Sequence, residues 1–461
     1  MGKDQGTSVF NIVPCATSGI EQTTGNAVTA KERTTVHHTL QSRPIGLATI
    51  GLTVAIVISA CSSGATATKT SADKSPINLS FAAWEFLEPG KGDAIWDTMK
   101  NYHGPNGNVT LVRTSEPYKT YADKMATQIG AKGGPDVLVL QDSQFFTLAA
   151  AKLLVPLNDI AKEYKGQLNN GNALGFFQKN QYGFHWEQSD YGLLYNKDVL
   201  AKAGVKVPTT YPELVAAAEK IHSDLGIYGY ANRSNVSELD GWTLEMNNWI
   251  SGFGGSLSKN GKLTIDSTNN VAAVDAFAKL FRSPAVPKGE NSSTLRAQFA
   301  QNRIGFVMEN AGVASTLTQD PKNLINGTNL GVAPLPFSYP GGNTTIMLAV
   351  NANSKNQAAA EDFVRFILSE KEQAALRGAL TDTTLARDVP LRSEFVTANP
   401  FATEFIKIGK TSKDSVVPGF ETHSRQIWSE VLNAVQGLVI NGGDAKSALS
   451  TVQKSVVGEF E

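Results

Sequence analysis

Tryptophans set beside carboxylates and amides are the side chains of this sequence best suited to recognising a small molecule. Glu85 follows Trp84 directly, and Trp186 lies in the polar stretch GFHWEQSDYG, which reads as a loop carrying Asp190 and Tyr191. Trp242 and Trp249 bracket TLEMNN, which sets Asn248 beside Trp249. An indole lies flat on the C–H face of a sugar ring while carboxylates and amides bond its hydroxyls. One aromatic side chain buries roughly 150–250 Å² in such a contact. Core packing is the competing reading of each tryptophan, and Trp96, inside a helical pattern, is read as core. Glu85, Asp142 and Asp190 could also form the acid pair of a glycosidase, but sequence spacing does not give their separation.

Other chemistries find little support. No Gly-x-Ser-x-Gly elbow, His-Glu-x-x-His, Walker A loop or complete Gly-x-Gly-x-x-Gly occurs in the chain. His103, His185, His222 and His423 stand far apart, so spacing offers no metal site, and neither metal nor cofactor is expected. Net charge is -1 and charged residues make up 18%, below the ~25% of ordinary domains. Without a basic cluster to meet phosphates, nucleic acid is not an expected partner. The 461 residues, 41% of them hydrophobic, suffice for two to three domains or one large two-lobed unit.

The N-terminal part reads as a leader. The uncharged stretch 45–60 follows Lys31, Arg33 and Arg43. It is short of the ~20 apolar residues of a spanning helix and suits a signal-peptide core of ~7–15. Ile58-Ser59-Ala60-Cys61 resembles the bacterial lipobox, so residues 1–60 are expected to be removed and Cys61 to carry acyl chains such as palmitate. Several chains together anchor firmly, at ~0.8 kcal/mol per buried CH₂. Loss of Cys15 with the leader leaves one cysteine and no internal disulfide. Residues 61–76 read as a flexible tether, which places the mature chain on the extracytoplasmic face of the cell membrane. The length ahead of the apolar core also suggests that translation begins nearer Val36 or Leu40.

Beyond residue 76 strand and helix patterns alternate, implying α/β lobes with parallel or mixed sheets. INLSFAAW (77–84) and NVTLVR (108–113) read as strands, and DVLVL (136–140) as a buried parallel strand. YADKMATQI places Tyr121, Met125 and Ile129 on one helical face. Thr210 and Glu213 form a capping-box pattern with Pro212 in the first turn. AAAEDFVRFILSEKEQAAL reads as one amphipathic helix closed by Gly378. RQIWSEVLNAVQGLVI aligns Trp428, Leu432, Val435 and Val439. Ligands in such folds sit beyond the carboxyl ends of strands.

Several stretches resemble one family in order along the chain. They are YADKMATQIGAKGGPDVLVLQDSQF, DYGLLYNKDVLAKAGVKVPTTYPELVAAAEKI, FAQNRIGFVMEN, LGVAPLPF and AVNANSKNQAAAEDFVRFILSEKEQAAL. Across nearly all of 77–461 the chain resembles the extracellular solute-binding proteins of bacterial ABC importers, typified by maltose- and oligosaccharide-binding proteins. The resemblance implies a two-lobed, type II-like periplasmic-binding-protein fold, each lobe a mixed sheet flanked by helices. Hinge crossings would fall near Tyr191 and Gly192, in 333–336 and in 381–389. Lobe 1 would be 77–190 plus 337–380, and lobe 2 would be 191–332 plus 390–461.

Carried over onto matching positions, the resemblance assigns ligand contacts to Trp84, Glu85, Gln141, Asp142, Ser143, Trp186, Asp190, Tyr191, Asn248, Trp249 and Trp428. Gly312 and Leu140 stand where members of the family often carry an aromatic, so the pocket differs from a maltose site. The implied protein is a monomeric, non-enzymatic sugar-binding component that partners the membrane subunits of an importer. Alternative solutes are a polyol, a phosphate ester met by Arg113 or Arg387, a polyamine or a peptide, and a carboxylate-pair glycosidase is the enzymatic alternative.

Overall fold

One strand, β6 (Gly183–Asn196), organises the chain by belonging to two halves at once. The computed structural model describes residues 75–88, 90–380 and 383–461. The apolar stretch 45–60, Cys61 and the tether as far as residue 74 lie outside the described residues. Ahead of β6 come β1 (Ile77–Ala82), β2 (Val109–Thr114), β3 (Val137–Gln141) and a small ribbon, β4 (Phe176–Phe177) with β5 (Asn180–Gln181). After it come β7 (Tyr228–Ala231), a second ribbon of β8 (Ser258–Lys259) and β9 (Lys262–Leu263), then β10 (Ile304–Asn310), β11 (Leu330–Ala333) and β12 (Asn343–Val350).

The main sheet runs β2-β1-β3-β12-β6-β10-β7, with β11 also on β6. β1 is parallel to β2 and β3, and β12 is antiparallel to β3 and β6, so the sheet is mixed. β6 pairs with β12 up to Asp190, opposite Asn343, and with β10 from Tyr191, opposite Asn310. Two cores follow from that division. One gathers Phe81, Leu138, Phe184, Leu348 and Phe363, and the other Leu193, Phe277, Phe306, Leu432 and Val435. A third cluster, around Phe299 and Phe405, covers the other face of the second sheet.

Local sequence explains most elements. The four residues Val137–Leu140 are fully buried, as a continuous apolar strand covered on both faces should be. Helix Tyr118–Gly130 buries Tyr121, Met125 and Ile129. Thr210 and Glu213 complete their capping box at the start of helix Tyr211–Leu225. Helix Ser424–Asn441 buries Trp428, Leu432, Val435 and Val439, and stops at Gly442 with φ 76°.

Two expectations need correction. GFHWEQSDYG is not a loop but the first part of the buried strand β6, because ladder bonds and buried side-chain partners satisfy most of its polar groups. Within it the His185 ring lacks a hydrogen-bond partner among the described residues, and burial pushes it down to about 4. The stretch read as one helix ending at Gly378 is two, Gln357–Leu368 and Glu370–Ala379. Ser369 adopts an extended conformation and its hydroxyl accepts from the Glu372 amide, so it caps the second helix instead of continuing the first.

Close approach of backbones makes one position a test of this architecture. A Cβ at Gly229 in β7 would lie 2.0 Å from the Ala218 carbonyl oxygen in helix Tyr211–Leu225. Gly229→Ala should therefore cost about 1–3 kcal/mol through forced separation of helix and strand. Urea unfolding should show a lower midpoint at unchanged slope; an unchanged midpoint would contradict the packing.

Candidate ligand-binding cleft

The carboxyl end of β3 supplies the first side of the site. Gln141 closes the strand, and Asp142 opens helix Asp142–Ala150, its Oδ1 accepting from the Ser143 amide at 2.7 Å. From the other half, helix Ser424–Asn441 presents Trp428, whose Nε1 donates to the Ser415 carbonyl at 3.0 Å. Ser415 Oγ in turn donates to Asp142 Oδ2 at 2.9 Å. Gln141, Asp142, Ser143 and Trp428, all expected from sequence, thus line one small cavity of about 20 Å³, room for a water.

A larger cavity of about 550 Å³ adjoins it and shares Ser415 and Trp428 as a dividing wall. That size lies within the range of small-molecule sites. Phe146, Phe176 and Phe177 line one side, and Asn247 and Leu257 the other. Asn247 is 7% exposed, yet its Nδ2 has no acceptor among the described residues. Asp414, between the two halves, likewise has an Oδ2 without a donor.

Charge is unevenly settled here. Burial, and then the neighbouring Asp414 carboxyl, hold Asp142 well above the usual carboxylate range. Burial raises Asp414 as well, against the hydrogen bond its Oδ1 accepts from the Val416 amide at 2.8 Å. Arg425 is engaged elsewhere, with Asp240 at 3.2 Å and Asp123 at 3.9 Å. Deeper in the second half, Arg233 joins Glu245 at 3.1 Å and Glu309 at 2.7 Å, and Arg296 also reaches Glu309. Burial pushes Glu245 up to about 7 despite Arg233.

The remaining expected residues lie elsewhere. Glu85 and Trp186 are buried inside the first half, where Trp186 Nε1 donates to Glu85 Oε1 at 3.2 Å. Burial and then Glu187 hold Glu85 well above its ordinary value. Trp84 packs edge-on against Tyr121 and Tyr118, at 5.1 and 5.6 Å. Asp190 Oδ1 accepts from Gln188 at 2.9 Å and Ser412 at 2.5 Å, and burial pushes this carboxyl up to about 6. Tyr191 is buried with its hydroxyl near Asn310. Asn248 Oδ1 accepts from the Gly342 amide at 2.6 Å, a structural tie between helix Leu239–Gly252 and the start of β12. Trp249 is 0% exposed and ringed by Phe337 at 5.0 Å and Phe277 at 5.5 Å. It and Trp242 line neither cavity.

Arg113 and Arg387 are also engaged by protein groups. Arg113 bonds Asp93 and the Phe86 carbonyl, and Arg387 bonds the Leu368 carbonyl and Gln167. Among the described residues no three His, Cys, Asp or Glu side chains gather as a metal set would. Sequence reasoning missed Asn247, Asp414 and Ser415. The NN doublet signals an amide in this helix, but only the helical phase decides which of the two faces a cavity. Asp414 and Ser415 precede Pro418-Gly419 in a turn-rich stretch leading into the Trp428 helix, and that position was the available signal.

Comparison with known proteins bears on this geometry. The family described as bacterial extracellular solute-binding protein matches residues 90–374. A probable ABC transporter-binding protein of Deinococcus radiodurans is 32% identical over 201 residues, which cover 40% of this chain and 47% of that protein. This match therefore spans about half of the relative's length. The diacetylchitobiose binding protein DasA of Streptomyces coelicolor is 26% identical over 275 residues, 56% of this chain and 61% of its own. The maltose-bound MalE3 structure from T. maritima shares the fold, with a TM-score of 0.72 at 20% identity, covering 83% of this chain and 100% of that one.

Asp190 gives a pH test of the junction. Its folded value of about 6 exceeds the ordinary 3.8, so between these values the folded state holds more protons than the unfolded. Stability from this group is therefore lost as pH rises from about 4 to 6. The melting temperature of Asp190→Asn should fall less over that window than that of the unaltered protein. Parallel profiles would remove Asp190 as the cause.

Proposed function

The chain belongs to the bacterial extracellular solute-binding proteins, and from that premise we propose that it captures a sugar, a mono- or oligosaccharide, for an ABC importer. The observation that carries this reading is the paired cavity at the junction of the halves, walled by Trp428 and bordered by carboxyl, amide and hydroxyl groups. Trp428 offers an apolar face, while Gln141, Asp142 and Asn247 offer the hydrogen bonds that hydroxyls require. A solute touching both halves favours the arrangement in which they meet, and the membrane subunits would read that closed surface.

A glycosidase fits less well. Glu85 and Asp190 border neither cavity. Asp142 borders only the smaller cavity and Asp414 only the larger, so the two carboxyls do not line one space as an acid pair would. A phosphate ester loses Arg113 and Arg387 as partners, since both are held by protein groups remote from the cavities. Relatives and structural neighbours that carry sugars support the sugar reading, as do the maltose and diacetylchitobiose in their descriptions. Lipid on Cys61 would hold the protein at the membrane, with transport energy supplied by other subunits.

A thermal-shift screen over sugars, polyols, amino acids and phosphate esters tests the class, with a sugar raising the melting temperature and no turnover of that sugar. Shifts only with another class would overturn it. Trp428→Ala should weaken binding of the hit more than tenfold, about 1.4 kcal/mol or more, measured well below the melting temperature of the variant, which loss of this buried indole lowers. Equal affinity would remove Trp428 from the site. For the anchor, Cys61→Ser should move the protein from the membrane fraction to the medium, and retention in the membrane fraction would exclude lipid on Cys61.

A further inference from the structure

We propose that the solute taken at this junction is a glycoside with an apolar aglycone, an aryl or alkyl group that fills the larger cavity against the phenylalanines of the first half. The inference rests on the sugar reading above and narrows it to sugars bearing such a group at the anomeric carbon.

Sequence sets both ends of the site on one helix. Asp142 and Phe146 are four residues apart in helix Asp142–Ala150, so they share a face. The first lines the smaller cavity and the second the larger. Four residues rise about 6 Å along a helix axis, which leaves room for one sugar ring between the two side chains. A ring beside the polar first turn, at the wall made by Ser415 and Trp428, turns its substituent toward Phe146. That side chain has apolar company. Its ring meets Phe177 edge-on at 5.7 Å, and Leu174, Phe176, Leu257, Val416 and Val417 continue the lining.

Polar groups on the larger cavity are largely spent on the protein itself. Ser256 Oγ donates to the Ser258 carbonyl at 2.8 Å, Ser251 Oγ to Asn247 Oδ1 at 3.5 Å, and Ser415 Oγ to Asp142 at 2.9 Å. Glu421 accepts from the Gly419 amide and Asp414 from the Val416 amide, each at 2.8 Å. Gln178 and Lys413 also border the cavity but stand exposed at its rim. A second sugar ring would bring several hydroxyls, each losing water on entry and requiring a partner. An aryl or alkyl group requires none and gains by leaving water.

An independent support is a phenylalanine that core packing does not explain. Phe176 is 50% exposed and has no ring partner among the described residues. Pairing with Gln181 in the ribbon of β4 and β5 fixes its backbone beside the cavity. The turn of that ribbon is strained as well, since Gln178 adopts φ 54°, a conformation that favours glycine. Backbone held in this way gathers where ligands are clamped. Gly255, Ser256 and Leu257 of the second half border the same cavity. An apolar group between them and the ribbon therefore touches both halves, covers Phe176, and favours the arrangement in which the halves meet.

Titration calorimetry on the full chain tests this. The probes are the methyl and phenyl β-glycosides of glucose, galactose and N-acetylglucosamine, the disaccharides cellobiose, lactose and diacetylchitobiose, and benzyl alcohol. One phenyl glycoside should bind about tenfold tighter, or more, than its methyl counterpart and the matching disaccharide. Its heat capacity of binding should be more negative than that of the methyl compound, as added apolar burial requires. Phe176→Ala, at an exposed position and checked for an unchanged melting temperature, should bring the phenyl-to-methyl ratio below about threefold. A ratio unchanged in this variant would overturn the placement of the aglycone in this cavity. Disaccharides binding as tightly as the phenyl glycosides would overturn the aglycone and leave the sugar reading standing. Benzyl alcohol binding as tightly as every phenyl glycoside would overturn the sugar reading and keep the apolar contact. No binding by any probe would overturn both.

Discussion

The rest of the structure depends on a single continuous ladder. β6 gives its first half to β12 and its second half to β10, and the change of partner falls between Asp190 and Tyr191. Because one strand is common to both sheets, the carboxyl ends of β3 in one half and β7 in the other are brought to the same region. Loops and helix starts at those ends can then face each other across a junction, as Asp142 and Asp240 do. A strand broken at Asp190 would leave two cores and no site.

Energetics divide along the same line. Large apolar clusters lie within each half, while polar contacts cross the junction between Asp142 and its neighbours and the second half. Ser415 meets Asp142, Thr147 meets the Thr422 carbonyl at 3.4 Å, and half-exposed Arg425 meets Asp123. Exposed ion pairs of that last kind contribute about 0–1 kcal/mol. Each half is therefore held firmly by its own core, while the meeting of the two is held lightly. A solute bridging Trp428 and Asp142 can shift such a balance with modest interaction energy, which is what capture by closure requires.

Legibility in the sequence follows the range of the interactions. The run Val137–Leu140, the Tyr121–Met125–Ile129 face and the Thr210 cap depend on neighbours a few residues away, and all were readable. The break at Ser369 was also local, but an amphipathic pattern running through it concealed the cap. β6 was not readable because its polar residues are satisfied by partners far along the chain, Glu85 for Trp186 and Ser412 for Asp190. Residue type alone made that strand look like a loop.

The same limit explains the divided fate of the expected site. Glu85 with Trp186, and Asp142 with Trp428, each bring an acid and a tryptophan together across the chain. In the first case the indole N–H reaches the carboxylate directly, and both side chains are closed into one core. In the second, Ser415 intervenes, accepting from the indole through its carbonyl and donating to the carboxylate through its hydroxyl. That spacer keeps carboxyl and ring apart by one residue, and the space it preserves opens on both cavities. Whether an aromatic and an acid meet directly inside one core or beside a cavity is thus decided by a third residue, one that no pattern in the tryptophans or carboxylates announces.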